Sequence, residues 1–125
     1  MAEKQFETLE KIVYENDLEA LKKAVEEEGM DVNLQNKYGW TPLHMAIRRD
    51  RREMVAFLLE NGADINKVDG VGWTPLMEAI MDDKPSLVKF LVEKGADKSI
   101  ANGRGATAPM LAQKFGRSSM FEYLV

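Results

Sequence analysis

The 125-residue chain is 45% hydrophobic and 30% charged, with a formal net charge of −4, a balance too polar for a membrane class and too apolar for a disordered one. It contains no cysteine, which excludes a disulfide framework and thiolate metal sites and fits a reducing compartment. Ten acids and four bases fall in residues 1–33, against one acid and three bases in 100–125, so the basic balance of a general nucleic-acid binder is missing.

The opening MAEKQFETLEKIVYEN has no apolar run of signal-peptide length, and no later stretch approaches a membrane span; the expectation is a soluble, cytoplasmic protein with no membrane partner. From Phe6 to Gly29 the apolar residues Phe6, Leu9, Ile12 and Val13, then Leu18, Leu21 and Val25, recur every three or four positions. That spacing predicts two short amphipathic helices, with Asn16-Asp17 ending the first and capping the second.

From Gly39 the chain reads GWTPLHMAIRRDRREMVAFLLENGADIN, and 33 residues later it reads GWTPLMEAIMDDKPSLVKFLVEKGADKS. A period of this length outranks other signals. In both copies a turn with glycine, Asn36-Lys37-Tyr38-Gly39 or Asp69-Gly70-Val71-Gly72, leads to Thr-Pro at a helix start. There a hydroxyl can accept from unpaired N–H groups, and proline's missing donor is harmless. Helices over 43–49 and 76–82 are predicted, broken at Asp50 and Asp83. Second helices follow at about 53–60 and 86–93, with Met54, Val55, Leu58, Leu59 and Leu87, Val88, Leu91, Val92 inward. Asn61-Gly62 and Lys94-Gly95 read as left-handed helix stops.

The first unit aligns with the second at a shift of 34 over residues 9–25 and of 33 over Asp31-Val32-Asn33, which places one extra residue within Glu26-Glu27-Glu28. The fourth keeps the period but moves its proline by one, in Thr107-Ala108-Pro109-Met110. Its inner face is expected at Met120, Phe121 and Leu124, with Lys114, Arg117, Ser118, Ser119 and Glu122 toward solvent.

Thr-Pro-Leu-His-Met-Ala, followed after a helical run by Asn-Gly-Ala-Asp-Ile-Asn, resembles the ankyrin repeat. The resemblance covers nearly the whole chain. It implies an all-α repeat fold, a solenoid of stacked turn-plus-helix-loop-helix units whose hairpin tips and first helices line a concave face. The expected organisation is a single domain over 1–125, with an N-terminal cap at about 5–37, full repeats at about 38–70 and 71–103, and a C-terminal cap at about 104–125. Helices this short do not hold alone in water, so each unit must bury its apolar face on the next.

Little in the sequence points to catalysis. The lone histidine, His44, is implied by the resemblance to brace the turn near Thr41, and Met77 stands in its place one repeat later. No His or Cys pair has metal-ligand spacing, and Asp50, Asp82 and Asp83 fall at inter-helix turns, where capping is the simpler role. Gly103-Arg104-Gly105-Ala106-Thr107-Ala108 satisfies a loose dinucleotide fingerprint. Gly70-Val71-Gly72 occupies the same register, however, and no apolar strand precedes either copy. No enzyme activity, cofactor or metal is expected.

Binding to another protein is the expected function, by a chain expected to be monomeric. The residues expected at the contact are Lys37, Tyr38, Trp40, Arg48, Arg49, Val71, Trp73, Met81 and Asp82; Thr41, Pro42, His44, Thr74, Pro75, Gly62 and Gly95 form the frame. The basic cluster Arg48, Arg49, Arg51, Arg52 has three readings: a solvated helix end, a contact of Arg48 and Arg49 with an acidic partner, or a nucleic-acid phosphate contact. Trp40 and Trp73 could pack against neighbouring turns instead of a partner. Two other roles fit the same fold: a regulatory or inhibitory subunit of an enzyme, and a structural or engineered repeat without ligand. Leu58 to Asn66 also resembles the pattern accepted by an asparaginyl hydroxylase acting on this family, with Asn66 as acceptor; the alternative is an asparagine that bonds backbone.

Overall fold

A computed structural model of the chain describes residues 2–125. These residues form helices and turns, with no strand among them. They divide into two compact units, Met1–Asp64 and Ile65–Val125. Among the described residues no helix is long and apolar enough to cross a membrane.

The first unit contains α1 (Ala2–Tyr14), α2 (Leu18–Lys22), α3 (Pro42–Arg48) and α4 (Arg52–Glu60). First helices pack on each other, α1 on α3, and second helices do the same, α2 on α4. Leu9, Val13, Leu21, Leu43, Ile47, Met54, Val55 and Leu58 are fully buried. In the second unit α5 (Pro75–Met81) packs on α7 (Ala108–Lys114), and α6 (Pro85–Glu93) packs on α8 (Phe121–Leu124). Its buried residues include Leu76, Met77, Ile80, Leu87, Val88, Leu91 and Met120. Burying each large apolar side chain contributes on the order of 1.5–3 kcal/mol, and helices of seven to nine residues form only because they are packed this way.

The two Thr-Pro-Leu segments have the same conformation. Thr41 (φ −102°, ψ 166°) and Thr74 (φ −89°, ψ 162°) are extended N-caps, and each hydroxyl oxygen accepts from the N–H three residues on. Pro42 and Pro75 open the helices, one residue ahead of the predicted starts. Thr107 keeps the backbone (φ −96°, ψ 171°) but makes no side-chain cap bond, and Ala108 takes the first helical position with Pro109 second.

All four repeats close their first helix in the same way. The N–H of Asp17, Arg51, Lys84 and Arg117 reaches back to the carbonyl of Ile12, Ala46, Ala79 and Ala112 respectively. The residue before each donor is left-handed: Asn16 at φ 55°, Asp50 at 58°, Asp83 at 55° and Gly116 at 70°. This is a six-to-one closure that satisfies helix-end carbonyls. Asp50 and Asp83 therefore act mainly through their backbone; the N-caps of α4 and α6 are Arg51 and Lys84, without side-chain cap bonds. Short polar residues tolerate this region better than other non-glycine residues.

The extra residue of the first unit has a structural home. After α2 the chain continues as a π-helical turn over Lys23–Glu27, with the Glu28 N–H bonded to the Lys23 carbonyl at 3.1 Å. A single π turn absorbs one inserted residue without breaking the helix. Ala24 is buried, while Leu18 and Val25 are only half-buried. In the second unit of the repeat pattern Phe57 joins the buried face of α4, and Leu59 is half-buried; in α6 Val92 is likewise half-buried. α1 begins at Ala2, ahead of the predicted start, because no Thr-Pro stop confines it.

Candidate functional site

Each repeat presents its tip on one recurring turn. Asn36 accepts through its side-chain oxygen from the N–H of Tyr38 (2.9 Å) and of Trp40 (3.0 Å). Asp69 does the same for Val71 and Trp73, both at 2.9 Å, and Asn102 for Arg104 (2.9 Å) and Ala106 (3.1 Å). A backbone bond from the first residue to the carbonyl four residues on closes each loop, and the fourth residue is a left-handed glycine, Gly39, Gly72 or Gly105. An Asx turn of this kind fixes the backbone and leaves the side chains at its second and third positions free to vary.

In the first unit that variation builds a stack. Lys37 Nζ lies 5.2 Å from the Tyr38 ring centre, the Tyr38 and Trp40 rings are 5.2 Å apart and tilted by 40°, and the Arg48 guanidinium sits 4.6 Å over Trp40. Beyond it, Arg49 covers Tyr14 at 4.5 Å. Each cation over an exposed ring contributes about 0.5–1 kcal/mol, so the set is pre-ordered while its outer surface stays in water. Tyr38, Tyr14, Arg48 and Arg49 are exposed and Trp40 is half-buried.

The four arginines of the basic cluster divide. Arg51 is half-buried, with Nε donating to the Val13 carbonyl (3.1 Å) and Nη2 to that of Tyr14 (2.7 Å), the last carbonyls of α1. Arg52 pairs with Asp50 at 3.0 Å on the surface. Arg117, expected in solvent, repeats the Arg51 arrangement: Nε donates to the Ile80 carbonyl (3.1 Å) and Nη2 to that of Met81 (3.0 Å). A guanidinium fork suits two neighbouring carbonyls and the negative end of a helix. The signal was present in the 66-residue spacing of two arginines, each following a left-handed residue.

In the second unit Val71, Trp73 and Met81 come together on a groove of about 800 Å³, joined by residues of the fourth repeat that sequence reasoning did not select: Arg104, Met110, Lys114 and Phe115. Asp82 does not line the groove; it is the half-buried C-cap of α5. The two turns meet closely here, the Gly103 N–H donating to the Val71 carbonyl at 2.9 Å. A Cβ on Gly72 would lie 2.8 Å from the Gly103 nitrogen. The glycines of the fingerprint-like stretch are thus explained by turn geometry and close approach.

His44 is buried beside Thr41. Its Nδ1 accepts from the Thr41 N–H at 3.3 Å and lies 2.8 Å from the Thr41 hydroxyl, whose oxygen accepts from the His44 N–H. With Nδ1 an acceptor, the neutral ring carries its proton on Nε2. Among the described residues no three His, Cys, Asp or Glu side chains gather as a metal site. Asn66 accepts from the Asp97 N–H at 2.8 Å, bonding the loop of the next repeat; Asn33 does the same for Asp64 at 2.7 Å. The Asp97 carboxyl accepts from the Ser99 hydroxyl (2.6 Å) and N–H (2.8 Å), and these bonds hold its pKa below the ordinary value.

The family profile described as ankyrin repeats (3 copies) matches residues 9–102. The chain belongs to the ankyrin-repeat family. No curated protein matches it. Ankyrin repeats generally mediate protein–protein interaction, and the family is typically non-enzymatic. The repeat geometry continues past the matched residues, since the Asn102 turn and the Gly116 closure copy those of the ankyrin repeats before them.

Proposed function

We propose that the chain binds another protein through its turn tips and the outward ends of its first helices. The contact residues are Lys37, Tyr38, Trp40, Arg48 and Arg49 in the first unit, and Val71, Trp73, Met81 and Asp82 in the second. The observation that carries this reading is the stack of Lys37, Tyr38, Trp40 and Arg48, two rings between two cations. Tyr, Trp and Arg are the residue types that dominate binding energy at interfaces, and here they are ordered in advance, which lowers the entropy lost on association. Stacked cations at an exposed aromatic surface favour a partner with acidic side chains.

The frame supports the same division of labour. Thr41, Pro42 and His44 are buried and Arg51 half-buried where they hold helices, while Tyr38, Arg48 and Arg49 are exposed. The test is affinity capture from the native cell at low salt, with Tyr38→Ala and Arg48→Ala compared singly against the parent. Each should weaken capture of the same partner with the unfolding midpoint nearly unchanged. Equal capture by all three proteins, or loss only in step with stability, would overturn the reading.

A further inference from the structure

The groove of the second unit has a chemistry of its own. Val71 is 62% exposed, Met110 56% and Phe115 43%, and with Trp73 and Met81 they make an apolar floor open to water. Isolated exposed apolar residues need no explanation, but several on one concave surface mark an interaction site. The charged residues that line it are Arg104 and Lys114, with no acid among the lining residues, in a chain whose net charge is −4. A cationic rim around an apolar floor, against the sign of the whole molecule, selects the sign of what enters.

Geometry narrows the occupant further. Arg104 sits on the turn before α7 and Lys114 is the last residue of α7, which is seven residues long and therefore spans about 10 Å. The Lys114 ammonium lies 5.5 Å from the Phe115 ring centre, so charge and apolar surface adjoin at that end of the groove. The Arg104 N–H is satisfied within its own turn, which fixes the tip, and the residue is exposed.

We infer that the groove between the Val71 turn and α7 takes an acidic peptide segment in which one bulky apolar side chain is flanked by carboxylates. The apolar side chain seats among Val71, Trp73, Met81, Met110 and Phe115, and the carboxylates meet Arg104 and Lys114. This deepens the protein-binding reading and rests on it, but it concerns the second unit and is probed with synthetic ligands.

The experiment uses the full chain and three labelled ten-residue peptides followed by fluorescence anisotropy. The first carries a central Leu with flanking Glu residues, the second replaces Glu by Lys, and the third replaces Leu by Ala. The first peptide should bind, and the other two should bind at least about tenfold more weakly. Arg104→Glu with Lys114→Glu should abolish binding, while Lys114→Gln, which spares the helix end a carboxylate, should weaken it several-fold at an unchanged melting temperature. Methionine-methyl NMR should show Met81 and Met110 shifting on saturation.

Binding of all three peptides alike, or binding that leaves Met81 and Met110 unmoved, overturns the inference. So does self-association abolished by the double charge reversal with no peptide bound, which would assign the groove to a second copy of the chain. Failure of every peptide overturns it too and leaves the Tyr38 and Arg48 reading standing, because that reading has its own capture test.

Discussion

Replacing Arg51 by alanine separates the structural arginine of the basic cluster from the exposed ones. The change removes two charge-assisted hydrogen bonds, to the carbonyls of Val13 and Tyr14 at 3.1 and 2.7 Å. Bonds to a charged group contribute about 1.5–3 kcal/mol each when buried. Arg51 is only half-buried and water can replace it at the end of α1, so the pair together is worth about 2 kcal/mol, including its interaction with the helix dipole. Arg51→Lys should recover about half, since an ammonium cannot fork between two carbonyls. Arg48→Ala, which removes the cation over Trp40, should cost about 1 kcal/mol or less. Urea titration followed by far-UV circular dichroism reads all three, with Arg117→Ala as the matching change in the second unit. An Arg51→Ala midpoint indistinguishable from the parent, or an Arg48→Ala loss as large as that of Arg51→Ala, would refute the reasoning.

Other changes test the frame. Asp83→Gly should stabilise the chain by about 0.5–1 kcal/mol in thermal unfolding, because glycine accepts the left-handed backbone and the 3.9 Å ion pair with Arg117 is weak. Gly62→Ala meets no atom within 4 Å and pays only backbone strain, about 1 kcal/mol; Gly72→Ala adds the 2.8 Å approach to Gly103 and should lose at least twice as much on urea titration. Ser99→Ala should raise the Asp97 pKa toward its ordinary value, seen by NMR titration of the carboxyl. Because the folded pKa is lowered, the stabilisation is present above the unfolded value and fades as pH falls through the folded one, so the variant should lose less on acidification.

The frame was largely legible because its signals are local. Thr-Pro at a helix start, glycine after a helix and a 33-residue period each have one physical meaning, and the helix positions of the second and third repeats followed to within a residue. The π turn at Lys23–Glu27 was visible only as a break in register, since nothing local distinguishes an inserted residue in a helix from one in a loop. Arg51 and Arg117 were hidden for a different reason: an arginine at a helix boundary reads as solvated until the carbonyls it meets, nearly forty residues away, are placed. The tip aromatics could be proposed as contacts from their register. Their stacking on Arg48, and the union of Val71 with Met110 and Phe115, depend on side-chain directions that a period does not encode.

Amide NMR of the isotope-labelled chain, with and without its captured partner, locates the contact surface in a single comparison. The account predicts shifts at residues 37–40 and 48–49 and at the 71–73 and 103–106 turns, with the outer positions of α4 and α6, such as Glu53, Glu60 and Lys89, unmoved. Shifts confined to those outer positions, with the turn tips silent, would contradict it.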